Sequence, residues 1–270
     1  MPRIALSLQY IGSDYSGWQR QREARTIQST LEDAIFSLSS VPTKTFAAGR
    51  TDSGVHAAGQ VVHFDSSFSI PPKRWASALN GRLPESISVR ESILQSEQWH
   101  ACFSAKSRKY RYLIYNSSYP DIFLAKWSWH RYHQRLDEEK MNIAIQPLLG
   151  IHDFAAFQKA GSTRRNSITE IKEVSIKRIK NLIAIDITAT GFLYGMVRLI
   201  VGQLVAIGEK KLTPEDFYNR WNNRRRDQVL ESAPAKGLCF LNVGYSDNLF
   251  SLKSNDGFYP FFLEDNKMNL

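Results

Sequence analysis

The sequence of 270 residues has few cysteines and no pattern of metal ligands. Its two cysteines, Cys102 and Cys239, stand far apart, without a CxxC pair and without histidines at zinc-ligand spacing. A disulfide framework and a zinc site are therefore disfavoured, and reduced thiols fit the cytoplasm. The chain also lacks an apolar run long enough to cross a bilayer, and its first apolar stretch is too short for a signal peptide. We expect a cytoplasmic protein that needs no metal and contacts no membrane.

Acidic residues are also in deficit. Lysine and arginine number 35 against 26 aspartates and glutamates, which gives a formal net charge of +9. Such an excess favours a polyanionic partner, because basic side chains release counterions from phosphates. Charge alone leaves open a basic surface that binds nothing in particular. Apolar residues make up 43% of the chain, enough for a sizeable core in two domains or in two halves packed as one body.

Hydrophobic periodicity predicts a mixed order of strands and helices. Strands are predicted over 4–10, 44–48, 59–64, 87–93, 108–115, 174–179, 182–187 and 238–245, and helices over 27–38, 72–79, 138–149 and 192–207. Each half then contains about four strands and two helices, which is an α+β pattern. We therefore predict two similar α/β halves, residues 1–105 and 106–270, built on a mixed or antiparallel sheet.

The most informative segment lies between two predicted strands. Residues 48–57 read AGRTDSGVHA, with two glycines that allow sharp turns and with Arg50 two residues before Asp52. One interpretation is a carboxylate that a guanidinium keeps ionised and that points into a cleft. The other is an ordinary Asp-Ser-Gly turn in which the aspartate caps backbone amides. The residues by themselves favour the ordinary turn.

This segment, with its continuation GQVVHF at 59–64, closely resembles the catalytic motif of the tRNA pseudouridine synthase A family. Further matches follow in the family's order at 10–12, 15–21, 26–32, 79–84, 100–112, 150–157, 192–202 and 233–238. So many ordered motifs argue against chance similarity. The resemblance implies a central catalytic cleft completed by the C-terminal half, and an isomerase (intramolecular transferase) that acts on uridines 38–40 in the tRNA anticodon stem-loop.

The resemblance also implies roles for single residues. Asp52 would be the nucleophile, attacking either the sugar or the base, and the reaction needs no cofactor and no metal. Arg50, Tyr110 and Arg198 would bind the substrate, with Arg198 close to Asp52. The Tyr110 ring would stack on the target base and its hydroxyl could help to remove the C5 proton, whereas core packing is the commoner fate of a strand tyrosine. We interpret His63 as structural and leave His56 out of the catalytic set as well.

Clusters of basic residues predict an RNA-binding surface. Its candidates are Arg20, Arg22, Arg25, Lys106, Arg108, Arg164 and Arg165. The resemblance further implies a homodimer whose two subunits share one tRNA. Two other functions compete with the enzyme. A non-catalytic tRNA-binding protein would not need the intact Arg50-Thr51-Asp52, and a zinc deaminase needs ligands and a glutamate that the sequence does not offer.

Overall fold

A single sheet runs through both halves of the protein. The computed structural model describes residues 1–161 and 166–250. Its strands are β1 (Arg3–Tyr10), β2 (Phe46–Ala47), β3 (His56–Asp65), β4 (Ile87–Gln95), β5 (Ser107–Asn116), β6 (Trp129–Arg131), β7 (Gly150–Asp153), β8 (Ile168–Ile179), β9 (Leu182–Ala189) and β10 (Leu238–Gly244). They lie in the order β4-β1-β3-β10-β5-β9-β8-β7, with β2 beside β3 and β6 beside β5.

Helices cover the sheet where their apolar faces can be buried. They are α1 (Ile27–Ser39), α2 (Trp75–Asn80), α3 (Glu138–Ile145), α4 (Met196–Gly208) and α5 (Pro214–Asn222). Helix α1 begins at a capping box in which Thr26 and Ser29 exchange side-chain and backbone hydrogen bonds. Its residues Ile27, Leu31 and Ile35 recur at helical spacing and are buried in the main core. The α+β class predicted from the sequence is confirmed.

The last strand, β10, joins the two halves. It runs parallel to β3, with Phe240 opposite Ala57, and antiparallel to β5, with Phe240 opposite Tyr110. Most of the other strand pairs are antiparallel. Because β10 lies between β3 and β5, the backbone hydrogen bonds continue from one half into the other. The division at 105/106 remains a prediction, although β5 begins at Ser107.

The two faces of β5 confirm the alternation expected from its sequence. Tyr110, Tyr112 and Ile114 lie in the main core, whereas Leu113 belongs to a smaller apolar cluster on the opposite face. Lys109 and Arg111 also leave the main core and form ion pairs with Asp186 on β9.

Several boundaries differ from the prediction for local reasons. Helix α4 begins at Met196 rather than at residue 192, because Gly195 has a left-handed φ of 71° and serves as the N-cap. Helix α3 ends at Ile145, and a short 3₁₀ turn with Pro147 follows it. The C-terminal half also contains β6, β7 and α5, which periodicity missed. The start of α5 carried a readable signal, a capping box of Thr213 and Asp216.

Two histidines of β3 are buried inside the protein. The amide of Gly12 donates to Nδ1 of His56, and the amide of Ala101 donates to Nδ1 of His63, each at 3.2 Å. Burial is the main cause that lowers the pKa of each histidine to about 4. Both rings are therefore neutral at physiological pH and occupy positions inside the fold.

This burial predicts a loss of stability in mild acid. An unfolded histidine titrates near pH 6.5, so between pH 6.5 and 4 the unfolded state binds more protons than the folded state, and stability falls as the pH falls. At pH 5 each histidine should remove roughly 2 kcal/mol relative to pH 8. The melting temperature should therefore drop by several degrees between pH 7 and pH 5, above the range in which carboxylates titrate. A melting temperature that stays constant over this interval would contradict the assignment of neutral histidines.

Candidate active site

Residues from both halves line a cleft of about 1230 Å³. This volume exceeds the roughly 300–1,000 Å³ of ordinary small-molecule pockets, so the cleft can admit part of a large substrate. Among the described residues that line it, four are basic and one is acidic. These are Lys44, Arg50, Arg108, Arg198 and Asp52. The excess of positive charge suits a phosphate backbone.

The acid of the cleft forms an ion pair with an arginine far along the chain. Asp52 lies in the loop between β2 and β3, and its Oδ2 is 3.1 Å from Nη1 of Arg198 in the first turn of α4. Both side chains are largely buried, with 18% and 16% of their surface exposed. Arg198 Nε donates to the Ala233 carbonyl at 2.7 Å, and the Ala233 amide donates back to the Arg198 carbonyl. This double contact fixes the guanidinium in front of the carboxylate.

A pairing of Arg50 with Asp52, which was one interpretation of the loop sequence, is not observed among the described residues. Among the residues that the structure describes, the ion pairs of Asp52 include Arg198 and not Arg50. Arg50 is exposed and lines the same cleft. The sharp turn of the loop separates two side chains that are close in sequence. A substrate-binding role for Arg50 therefore remains a prediction.

Gly17 and Trp18, in the segment after β1, pack against the backbone of the Asp52 loop; we call these two residues the floor of the loop. The amide of Trp18 donates to the Thr51 carbonyl at 3.0 Å. Gly17 has a φ of 87°, and a Cβ placed on it would lie 2.8 Å from the Thr51 carbonyl oxygen and 3.1 Å from the Asp52 carbonyl carbon. Only a glycine allows this close approach without moving the backbone of Asp52.

A buried hydrogen-bond chain holds the loop from the other side. The hydroxyls of Tyr10 and Thr51 are 2.8 Å apart, and Gln60 on β3 donates to the Gly49 carbonyl at 2.7 Å. Tyr10 and Gln60 are both buried. The residues before and inside the loop are thus tied to two strands of the sheet, which limits the movement of Asp52.

Tyr110 contributes an aromatic wall to the cleft. Its ring meets Phe192 edge-to-face at 4.9 Å and lies 4.8 Å from the ring of Phe240. Burial, followed by the nearby Tyr10 and Asp52, raises the pKa of Tyr110 far above its usual value. Phe192 was missed as a site residue because it was assigned to the helix, and Gly195 was the signal that the helix begins later.

The predicted RNA contacts have different surroundings. Arg20 forms ion pairs with Glu32 and Asp33 of α1, and Arg25 lies 4.9 Å over the ring of Tyr15. Arg22, Arg25 and Lys106 are exposed, whereas Arg164 and Arg165 lie outside the described residues. Their roles in RNA binding remain predictions.

Arg108 has a structural role that the sequence did not indicate. Its guanidinium donates to the carbonyls of Ala48, Cys102 and Thr190 at distances between 2.6 and 3.2 Å. Ala48 precedes the Asp52 loop, and Thr190 precedes Phe192. Arg108 therefore connects two segments that line opposite parts of the cleft, and its donors are engaged within the protein.

The described part of the chain offers neither a cluster of metal ligands nor a membrane-spanning helix. No group of three or more histidine, cysteine, aspartate or glutamate side chains within 1–161 and 166–250 could hold a metal ion. In the same residues no helix combines the length and the apolar character that crossing a membrane requires.

Comparison with known proteins identifies the family. A family model described as tRNA pseudouridine synthase matches residues 6–104 and 144–246. These ranges include Asp52 and Arg198, and also β9 and β10, the two strands on either side of the strand that carries Tyr110. The chain belongs to the tRNA pseudouridine synthase family. It is therefore an isomerase that forms pseudouridine in tRNA, which confirms the resemblance and the enzyme class predicted from the sequence and rejects the non-catalytic alternative.

Relatives from Prochlorococcus marinus and Synechococcus sp. are similar over nearly the whole chain. A tRNA pseudouridine synthase A of Prochlorococcus marinus (strain MIT 9312) is 57% identical over 263 residues, covering 97% of this chain and 98% of that protein. A protein of the same name from Synechococcus sp. (strain CC9902) is 58% identical over 250 residues, covering 92% and 83%. A solved archaeal box H/ACA ribonucleoprotein aligns with 86% of this chain and 58% of its own at 9% identity and a TM-score of 0.35, too weak to add to the assignment.

The floor of the Asp52 loop gives a testable prediction for this synthase. Gly17→Ala should lower the single-turnover rate of pseudouridine formation by about a hundredfold, because displacing a reacting group by about 1 Å can cost that much. The matched control is Gly150→Ala, which also has a positive φ but meets only the His152 side chain, at 3.4 Å. Both variants should lose roughly 1–2 kcal/mol of stability from backbone strain, and only Gly17→Ala should lose rate. Equal rates in the two variants would show that the floor does not position Asp52.

Proposed function

We propose that this synthase modifies the anticodon stem-loop of tRNA and uses Asp52 as its nucleophile. The observation that carries this proposal is the ion pair of Asp52 with Arg198 inside a basic cleft. The bond between N1 of the base and C1′ of the ribose breaks, the base rotates, and a bond forms between C5 and C1′. The proton leaves C5, and N1 gains one, so the reaction is redox-neutral.

The ion pair provides what a carboxylate nucleophile needs. Arg198 binds Oδ2 of Asp52, which leaves Oδ1 to add to the sugar or to the base. A carboxylate is a modest nucleophile, so accurate positioning matters more than activation. The hydrogen bonds between Arg198 and Ala233 and the close contact at Gly17 both hold Asp52 in position.

Tyr110 and Arg50 line the cleft together with Asp52 and bind the substrate there. The Tyr110 ring, supported edge-on by Phe192, stacks against the uracil. Because burial raises its pKa, the hydroxyl stays protonated and no phenolate is available as a base, which favours stacking over proton transfer. Arg50 is exposed at the cleft, where it can contact the RNA around the extruded nucleotide.

Exposed basic residues would hold the rest of the tRNA. Arg22, Arg25 and Lys106 have their charges at the surface, and Arg20 is half exposed beside its acidic partners. Arg108, Arg164 and Arg165 complete the proposed RNA-binding set, with Arg108 acting mainly through its charge. We also propose that the enzyme works in the cytoplasm as a homodimer whose two subunits share one tRNA. The net charge of +9 supports a large polyanionic substrate.

Asp52→Asn tests the nucleophile. The variant should form no detectable pseudouridine in tRNA yet bind tRNA with at least the affinity of the wild type, because removing a negative charge cannot weaken contacts with phosphates. Position-resolved pseudouridine mapping of the tRNA, with and without enzyme, measures the first outcome and identifies the modified uridines. Asp14→Asn, which removes a charge from an exposed site outside the cleft lining, should stay fully active. Turnover of Asp52→Asn within a few-fold of the wild type would overturn the assignment.

A series at Tyr110 separates stacking from proton transfer. Tyr110→Phe keeps the ring and should retain the rate of the chemical step within a few-fold, whereas Tyr110→Leu loses the ring and should lose a factor of roughly 5–150 in substrate affinity or rate. Single-turnover kinetics on both variants measures the step directly. A Phe variant slowed by about a hundredfold would assign the C5 proton to the hydroxyl instead. A fully active Leu variant would reject stacking.

A further inference from the structure

An aromatic cluster stands at the edge of the cleft, and the reaction does not use it. Phe46 lies stacked on His63 at 5.1 Å and contacts His100 at 5.5 Å. His100 is in turn stacked on Phe103, with ring centroids 4.2 Å apart and an interplanar angle of 29°. Phe46 and His100 belong to the cleft lining. The cluster therefore continues from the cleft lining to the exposed ring of Phe103.

Phe103 is far more exposed to solvent than is usual for a phenylalanine. Its side chain is 84% exposed although the main core is close by, whereas Phe46 is 37% exposed. One face of the Phe103 ring is covered by His100, so the remaining exposure leaves the other face open to solvent. Leaving an aromatic ring in water forgoes roughly 1.5–3 kcal/mol of burial energy. A partner that covers the open face would recover this energy.

The turn that carries Phe103 is held in place. His100 Nδ1 accepts hydrogen bonds from the amides of Cys102 and Phe103 at 3.1 and 3.3 Å. The amide of Ser104 donates to the His100 carbonyl, and the Ser104 hydroxyl accepts from the His100 amide. The His100 ring thus has a fixed orientation, and Phe103 rests on a rigid support rather than on a flexible loop.

The hydrogen bonds of His100 also define its chemical form. Because Nδ1 accepts two amide hydrogens, the ring proton of the neutral imidazole is on Nε2. Burial, followed by the charge of Arg3, lowers the pKa of His100, which maintains the neutral form. The ring that supports Phe103 is therefore an uncharged imidazole with its proton on Nε2.

Basic side chains surround this aromatic edge. The Lys44 ammonium lies 5.3 Å over the ring of Phe46, and Lys106 is exposed three residues after Phe103. Arg50 lines the same cleft. Aromatic rings that alternate with cations are typical of surfaces that bind single-stranded nucleic acid, since bases stack on the rings and phosphates meet the cations.

We propose that Phe103, supported by His100, is a stacking platform for one unpaired nucleobase of the tRNA, a nucleotide other than the target uridine. This proposal rests on the proposed function, because it takes the RNA bound at Asp52 as the occupant. The platform is continuous with the cleft, and its basic surroundings match the RNA backbone. A single ring is also far smaller than the roughly 1,200 Å² that a stable protein interface buries.

Binding measurements with three variants test the platform. Phe103→Ala should weaken binding of an anticodon stem-loop RNA by about 5- to 150-fold, the range for a lost base–aromatic stack. Phe103→Leu should weaken it nearly as much, since it keeps the apolar character without the flat ring, and Phe103→Trp should restore wild-type affinity. At saturating RNA the single-turnover rate of Phe103→Ala should remain within twofold of the wild type, because the ring does not touch the reacting atoms.

The contacted nucleotide is found by replacing each unpaired nucleotide of the RNA in turn with an abasic residue. At one position the abasic RNA should bind wild type and Phe103→Ala equally, whereas at the others the variant should keep its full deficit. The matched control is Phe123→Ala, which removes a ring that is 81% exposed outside the cleft lining, and it should bind normally.

Three outcomes would overturn the proposal. They are affinity of Phe103→Ala within twofold of the wild type, Phe103→Leu binding as well as the wild type, and a deficit that persists at every abasic position. These outcomes can be distinguished from a failure of the proposed function. If the wild-type enzyme forms pseudouridine elsewhere in tRNA, the proposal that it modifies the anticodon arm is refuted. The same variants still test the platform, with full-length tRNA as the ligand.

Discussion

The ion pair between Asp52 and Arg198 is the contact on which the rest of the site depends. The two residues come from different halves of the chain, and both side chains are mostly withdrawn from water. Removing charges from water is costly, so such a pair persists only where its geometry is fixed and its remaining hydrogen bonds are satisfied. The Ala233 carbonyl accepts from Arg198 Nε and meets part of this need. The strand β10 helps to fix the geometry of the ion pair, because its central position holds the two halves in one sheet.

The rigidity of the Asp52 loop follows from small residues and buried polar groups rather than from large apolar contacts. Gly17 allows the backbone of Trp18 to bond directly to the loop, and the Tyr10 hydroxyl reaches the side chain of Thr51. Arg108 adds a third restraint at the Ala48 carbonyl. The nucleophilic role proposed for Asp52 would gain from such restraint, since catalytic geometry tolerates errors of only about 0.5 Å. The motif residues around Asp52 therefore serve mainly to position it.

Elements defined by local signals were predictable, and contacts between distant segments were not. Helix α1 follows its prediction within a residue or two, because Thr26 caps it and its apolar positions recur at helical spacing. The cation beside Asp52 could not be found this way. Arg50 is closer in sequence, yet Arg198 makes the contact at a sequence separation of 146, and only the family resemblance had placed it near Asp52. Phe192 was not recognised as a site residue, because the apolar run before Gly195 has the composition of a helix.

The distribution of charge explains how a carboxylate can act on a polyanion. Much of the basic excess is engaged within the protein, as in the contacts of Arg108 with carbonyls and of Arg111 with Asp186. Net charge still attracts RNA over long distances, because the field depends on the sum of charges rather than on their pairing. At the cleft itself, an unpaired carboxylate would repel the phosphates that flank the target nucleotide. Arg198 compensates that charge at 3.1 Å. The same ion pair that holds Asp52 in place thus makes a carboxylate in this basic cleft compatible with the RNA binding proposed for it.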